Sequence, residues 1–467
     1  MNYKNLTLII SVLLLFNCSG SKEVAKNTSY AKDEKIEQKP SWVTQRPVNS
    51  QFYTGIAVSS KSASPMNYAL EAQRNALNEL ASSIEVDVKS NSMLFTFEEK
   101  SKVRDEFKEF IQVKANQNIE NYELVASWEN AYEYWVYYKL SKEQYKKDKQ
   151  AKIDKAVNLS VSLIDQANQD WKNENYKLGF TGFFDALQPI KPYLGESLPA
   201  TINDIKEVYL GNYLLSQISQ CSREFHLKST LEEISTFWGS ELSHSELEFF
   251  VNSSNNQAIA QIPLRFEYSE GQIRPRDGLT DQKGVSSTEI KKITSKKSIQ
   301  KVNAEIDFKK MIIGNKRPDE IEKRIFESLK NKKSTIIIDV KSPKIFLKST
   351  EFSLGKNAGS ELLNAFSLKA AEMGFLIVSN KKDADLVVDI NSATHKAGTA
   401  YNLNNVLLIA TIEVIFNKTG KLIYHEKLEG VKGVSSSFTD ASNQAYKKAI
   451  DEINKKIVPR FYRKYIN

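Results

Sequence analysis

The chain has 467 residues, 41% of them hydrophobic and 10% aromatic, with a formal net charge of +8. That composition excludes a disordered chain, and the length accommodates three or four domains. Two cysteines in 467 residues exclude a fold stapled by disulfides.

Met1 to Asn5 carries one positive charge and no acid, and an apolar run follows from Leu6 to Phe16, broken only by Thr7 and Ser11. Such a run is too short to span a bilayer and has the length of a signal-peptide core. It ends at Leu15-Phe16-Asn17-Cys18, which resembles the bacterial lipobox. The resemblance implies a signal peptide over 1–17, lipidation of Cys18 on sulfur, cleavage before it and acylation of its new amino group. Several acyl chains on one residue anchor a protein stably where one alone is marginal. Ser19 follows the Cys, with no Asp at the position that retains lipoproteins in the inner membrane. The expected location is therefore the outer membrane, with the body on the periplasmic face or the cell surface.

Ser19 to Lys39 is polar, mixed in charge and free of aromatics apart from Tyr30, so residues 18–39 read as a flexible tether. Ordered structure is expected from Pro40-Ser41-Trp42. Gln51 to Ser59 has the pattern of a strand, and Ser64-Pro65 opens a helix with Ala69, Ala72, Ala76, Leu77, Leu80 and Ala81. Alternation at Ile84, Val86 and Val88 predicts a strand over 84–97, helical spacing returns over Val103 to Ala115, and two strands follow at 118–127 and 132–140. These elements make one α+β domain over 40–140. Pro40-Ser41-Trp42, Tyr53-Thr54-Gly55-Ile56-Ala57 and the Ala-rich helix with Arg74, running into Leu80-Ala81-Ser82-Ser83-Ile84-Glu85-Val86, resemble the Lpp-twenty-type lipoprotein domain. That resemblance implies an outer-membrane lipoprotein without enzymatic activity.

Residues 141–240 read as a helical connector. Within it Trp171 to Tyr176, Phe180, Phe183-Phe184, Ala186-Leu187 and Pro189 resemble one tetratricopeptide-like hairpin, with no second copy at a fixed period. Its aromatic stripe is expected in the core. Short strands at 247–251, 259–268, 284–293 and 301–308, punctuated by Gly271, Pro275 and Gly278, predict a small β-sandwich over 241–311. Pro263 to Phe266 and Leu279 to Ser287 resemble bacterial immunoglobulin-like modules, which serve as spacers or adhesive units. Between Lys283 and Lys333 stand 15 Lys or Arg against 7 Asp or Glu. This stretch includes a basic linker over 312–333. For an envelope protein the matching partners are anionic lipid, lipopolysaccharide or wall polymer, not nucleic acid. A solvated lysine-rich face is the plainer reading.

A second α+β domain is expected over 334–467. It has strands at 335–340, 375–378, 384–390, 405–416 and 422–430, helices at 360–373 and 440–457, and a hairpin turn at Asn417 to Lys421. The order, and Lys382 to Val388 in particular, resembles envelope-assembly lipoprotein domains such as the curli-secretion-channel lipoprotein and the penicillin-binding-protein activators. The fold class expected for the whole is multidomain α+β.

Four His at 226, 244, 395 and 425 have no i, i+4 pair, and neither Cys has zinc-site spacing. There is no Gly-x-Ser-x-Gly elbow and no phosphate-cradling Gly loop. Asp383 and Asp385 bracket a strand start and read as solvated charges, and Cys221 reads as a small buried hydrophobe. No catalytic, cofactor or metal residue is assigned, so the expectation is a non-enzymatic binding or scaffold lipoprotein with envelope protein partners. Two alternatives stand beside it: a surface adhesin using Trp128, Trp135 and Trp238 on glycans, and a hydrolase whose site has no sequence signature.

Overall fold

The computed structural model describes residues 38–63, 65–84, 89–101 and 119–466. The signal segment, Cys18, the tether up to Glu37 and the helix expected at 103–115 lie outside the described residues. The chain is a multidomain α+β protein.

After a short helical turn, α1 (Ser41–Thr44), the first unit is a three-stranded antiparallel sheet in the order β1-β3-β2. Its strands are β1 (Phe52–Ser60), β2 (Glu123–Glu129) and β3 (Glu133–Ser141), covered by helix α2 (Tyr68–Ser82). Ala72, Ala76 and Leu80 face the sheet and are fully buried with Val136 and Leu140 in a small core of their own. Gly55 lets β1 lie directly under this helix, because a Cβ there would meet the Ala76 carbonyl and Leu80. The strand expected over 84–97 is corrected at its described end: α3 (Met93–Ser101) is a helix. Ser92 Oγ accepts from Phe95 N at 3.2 Å, so a local cap outweighs the alternation read further upstream.

The expected helical connector begins as a hairpin of α4 (Lys142–Lys172) and α5 (Tyr176–Ile190). Ser141 caps α4, and Phe180, Phe183 and Phe184 are buried, as the aromatic stripe predicts. The rest of 141–240 departs from an all-helical reading. A β-hairpin of β4 (Pro199–Ile202) and β5 (Ile205–Tyr209) precedes α6 (Leu210–Arg223), and two strands follow, β6 (His226–Ser229) and β7 (Glu233–Phe237). Positive φ at Asn203 and Asp204 makes the hairpin turn.

The sandwich is wider than 241–311, since it recruits strands from both sides. One sheet has the order β10-β9-β12-β13-β7, and the other has β11-β8-β6. The strands new here are β8 (Glu248–Asn252), β9 (Pro263–Tyr268), β10 (Asp277–Leu279), β11 (Val285–Ser287), β12 (Ile299–Ile306) and β13 (Lys333–Lys341). Strand β13, expected in the C-terminal unit, pairs with β12 from Ile299–Asp339 to Glu305–Lys333 and lies parallel to β7. Its buried Ile336, Ile338 and Val340 face the sandwich core. The basic linker is largely two short helices, α7 (Phe308–Ile313) and α8 (Glu320–Ser328), the second closed by an Asp319–Glu322 capping box.

The last unit is a mixed sheet in the order β15-β14-β17-β18-β19, with β16 paired to β14. It comprises β14 (Lys344–Ser353), β15 (Lys356–Asn357), β16 (Leu376–Ile377), β17 (Leu386–Ala400), β18 (Leu403–Phe416) and β19 (Leu422–Ser435). Helices α9 (Glu361–Glu372), α10 (Phe438–Glu452) and α11 (Val458–Ile466) pack against it. The single closing helix expected to Ile457 is instead two helices joined by a π turn over Ile453–Ile457. Pro459 has no N–H to give the preceding turn, which is where the register changes. Glu351 on β14 is buried and accepts from Leu362 N at 3.0 Å and Leu363 N at 3.1 Å, so a strand residue caps α9.

Gly433 repeats in β19 the role of Gly55 in β1. A Cβ there would collide with the Ala441 carbonyl oxygen and the Ala445 amide of α10. Gly433→Ala is expected to cost about 3 kcal/mol, because backbone on both sides must separate. Urea unfolding measures it, and a midpoint equal to wild type would show that the helix sits further off.

Hydrophobic burial forms one continuous core from Met93 to Tyr465, running through the helices, the sandwich and the last unit. The 40–140 unit has its own core, but α3 contributes Met93, Leu94 and Phe97 to the large one. No helix of the described residues is long and apolar enough to cross a membrane.

Candidate functional site: a lysine-lined cleft beneath the sandwich

The residues singled out in the sequence do not converge. His226 Nε2 pairs with Ser254 Oγ at 3.0 Å, His244 Nδ1 with Ser287 Oγ at 3.2 Å, and His425 Nδ1 with Glu413 Oε1 at 3.2 Å. His395 is exposed on β17. Among the described residues no three His, Cys, Asp or Glu gather as a metal site. Asp385 Oδ2 accepts from Lys344 N at 2.8 Å, a structural tie between strand ends, while Asp383 is exposed in a 3-10 turn. Cys221 is buried, and that burial pushes its thiol up to about 12, as befits a packed hydrophobe.

The three tryptophans are not an exposed platform, which corrects that expectation. Trp238 is 2% exposed and packed in tilted and edge-on contact among Phe375, Tyr462 and Tyr465, with ring centroids 4.6, 5.8 and 5.5 Å away. Trp128 is also buried. Trp135 is half-buried and donates from Nε1 to Glu133 Oε2 at 3.0 Å. Lys39 Nζ stands 5.7 Å from both the Trp128 and Trp135 ring centres, a cation–π arrangement.

Much of the basic stretch 283–333 is neutralised locally. Lys297 pairs with Glu270 at 2.9 Å, Lys310 with Asp277 at 3.4 Å and Lys333 with Glu305 at 3.2 Å. Lys296 Nζ donates to the Met373 carbonyl at 2.7 Å and stands over the Trp238 and Tyr462 rings. Lys291 has Glu289 only at 3.8 Å, and Lys292 has no carboxylate within salt-bridge distance among the described residues. Both lysines border a cleft of about 710 Å³ between the sandwich and the C-terminal unit, together with Lys418, Lys421 and Lys464. Against these five ammonium groups the cleft presents two carboxylates, Glu241 and Asp385. The walls between them are apolar, from Phe237, Phe416, Leu422, Ile423 and Phe461.

Each wall of the cleft has a folding reason. The Asn417–Lys421 turn that carries two of the lysines is held by Gly420 at φ +68° and by Asn417 Nδ2, which donates to the Lys381 and Ala384 carbonyls at 2.7 and 2.9 Å. Gly239, at φ +88°, lets the chain pass against the Tyr465 ring, where any Cβ would strike the phenol. Tyr465 is 5% exposed, and its hydroxyl is buried with no hydrogen-bond partner. Burial drives that phenol far above its usual value, with the Asp385 carboxylate adding to the effect, so it stays protonated. Partial burial lowers the Lys292 amine below the ordinary lysine range. The Lys421 ammonium adds to that and Glu241 opposes it.

No family model matches the chain, and no curated protein matches it. Several solved structures resemble it over about a quarter of its length. A hypothetical protein from Chlamydia trachomatis is 11% identical over 26% of this chain and 98% of its own, with a TM-score of 0.20. A lipoprotein from Neisseria meningitidis is 10% identical over 24% and 97%, with a TM-score of 0.18. A minor lipoprotein from Acinetobacter baumannii is 16% identical over 26% and 93%, with a TM-score of 0.19. Bacterial lipoproteins thus stand among its structural neighbours.

Proposed function

We propose that this chain is an outer-membrane lipoprotein, held by acyl chains on Cys18, that works as a non-enzymatic binding or scaffold component of envelope assembly or secretion. The observation that carries the reading is the address segment: an apolar run from Leu6 to Phe16 that stops two residues before Cys18. Support comes also from the body, in which a small α+β unit with its own core adjoins helical, β and α+β units fused through one large core, a build suited to holding partners at fixed positions. The adhesin alternative loses its motive, because two of the three tryptophans offered for glycan stacking are buried.

Cys18→Ala tests the anchor. With a C-terminal tag, the variant should move from the outer-membrane fraction to a soluble one; retention on membranes after a salt wash would overturn the anchor. Cross-linking in intact cells, followed by affinity capture and mass spectrometry, tests the scaffold role. A near-stoichiometric envelope protein is expected, and self-contacts alone would overturn that half of the proposal. Turnover of envelope polymers by the purified protein would overturn the non-enzymatic half.

A further inference from the structure

The cleft bordered by Lys291, Lys292, Lys418, Lys421 and Lys464 combines three properties that a solvated lysine-rich face lacks. First, its cations come from three segments distant in sequence, the 291–292 pair beside the sandwich, the 418–421 turn and the last helix, yet they border one cavity. Second, four of the five have no ion pair of their own: Lys291 has Glu289 at 3.8 Å, whereas Lys292, Lys418, Lys421 and Lys464 have no carboxylate within salt-bridge distance among the described residues. Third, the cavity is lined by a buried Tyr465 whose hydroxyl finds no acceptor. An unpaired buried donor costs stability unless something completes it. Ammonium groups bordering one cavity repel each other, as Lys421 does Lys292, until a counter-charge arrives.

We propose that this cleft is a binding site for a phosphate-bearing ligand, with the lysines meeting the phosphate oxygens, the Tyr465 hydroxyl donating to the ligand, and the apolar walls covering the moiety the phosphate is attached to. Phosphate is the anion that fits best. It offers several acceptor oxygens and more than one negative charge, and lysine meets it as a point charge from varied directions. A cavity of about 710 Å³ with aromatic and aliphatic walls exceeds what a bare anion needs and matches a small-molecule or headgroup site. The lowered Lys292 amine is consistent with a cation waiting for its counter-ion. The site neither requires nor implies the lipid anchor, so its failure and the failure of the scaffold proposal are separate results.

The test is calorimetric titration of the detergent-solubilised full chain with inorganic pyrophosphate and with glucosamine 1-phosphate. Flotation with phosphatidylcholine vesicles, with and without phosphatidylglycerol, forms a parallel arm. Lys292→Gln combined with Lys421→Gln should weaken phosphate binding about tenfold or more, by loss of two charge-assisted contacts. Lys309→Gln combined with Lys356→Gln removes the same charge from exposed positions outside the cleft and should leave binding unchanged. Tyr465→Phe deletes only the unpartnered hydroxyl, so it should weaken binding while leaving the melting temperature equal or higher. Vesicle binding that pyrophosphate competes away would assign the phosphate to a lipid headgroup; binding of the soluble phosphates without vesicle binding would assign it to a free phosphorylated sugar. No measurable binding in either arm, or equal losses in the two lysine double variants, would overturn the proposal.

Discussion

Trp238→Ala is expected to cost about 3–5 kcal/mol, the range for removing a large buried aromatic, and to separate the sandwich from the C-terminal unit before either unfolds. Trp238 follows β7 directly, and its indole plugs a pocket of rings supplied from beyond residue 370: Phe375, Tyr462 and Tyr465. Phe375 in turn stacks on Phe461 at 5.4 Å with the planes 22° apart. Lys296 closes the outside of the cluster, 4.7 Å above the indole. Alanine leaves a cavity where three segments meet, and the surrounding backbone cannot collapse into it without moving α11. Urea unfolding followed by near-ultraviolet circular dichroism measures the loss. One cooperative transition with an unchanged midpoint would mean that the ring cluster does not hold the two units together.

Lys191→Met should be nearly as damaging, about 3 kcal/mol, for an electrostatic reason. Lys191 follows the last residue of α5 and reaches Asp319 Oδ2 and Glu322 Oε1, both at 2.7 Å. Lys191 and Glu322 are buried, so removing the cation leaves two carboxylates facing each other with little water to screen them. The α8 capping box offsets part of this, since the same carboxylates accept from the amides at the helix start. Adding Glu322→Gln to Lys191→Met should then recover part of the loss. If the double variant is instead less stable than Lys191→Met by the full cost of Glu322→Gln alone, the damage is lost packing rather than stranded charge.

The sequence showed most clearly those elements whose periodicity and punctuation agree. The α9 helix, with Leu362, Phe366 and Ala370 inward, and the Asn417–Lys421 turn, with Gly420 at positive φ, stand where their residues place them. Strand β14 has no alternating signature because Lys344-Ile345-Phe346-Leu347-Lys348-Ser349-Thr350-Glu351 buries only Ile345 and Glu351. Its pairing with β17 decides its state, and that is a long-range fact. The short polar β6 and β7 were hidden for the same reason, and their partners lie in β8 and β13. The cleft was half legible. Charge density marks the stretch that holds Lys291 and Lys292, but several of its cations are paired on the surface, and the other three lysines come from the far end of the chain. Linear charge density cannot report a constellation assembled from three segments. Nor can it report that Trp238, expected on the surface, would be drawn inward by neighbouring rings.

The register of β1 on β3 bears on how the molecule carries load. Phe52, the first residue of β1, pairs with Ser141, the last of β3, and the strands run antiparallel from there to Ser60–Glu133. Ser141 leads without a break into α4, which is packed in the main body. Tension entering from the N-terminal side therefore acts across one end of this strand pair, peeling its hydrogen bonds one after another, whereas shear would strain them all together. The small unit is expected to open as a mechanical fuse at a much lower force than the large core, which would extend the reach of the body from the proposed anchor while leaving that core intact. Single-molecule pulling between the N-terminal side and a point in α4 should show an early, low-force step that removal of β1 abolishes.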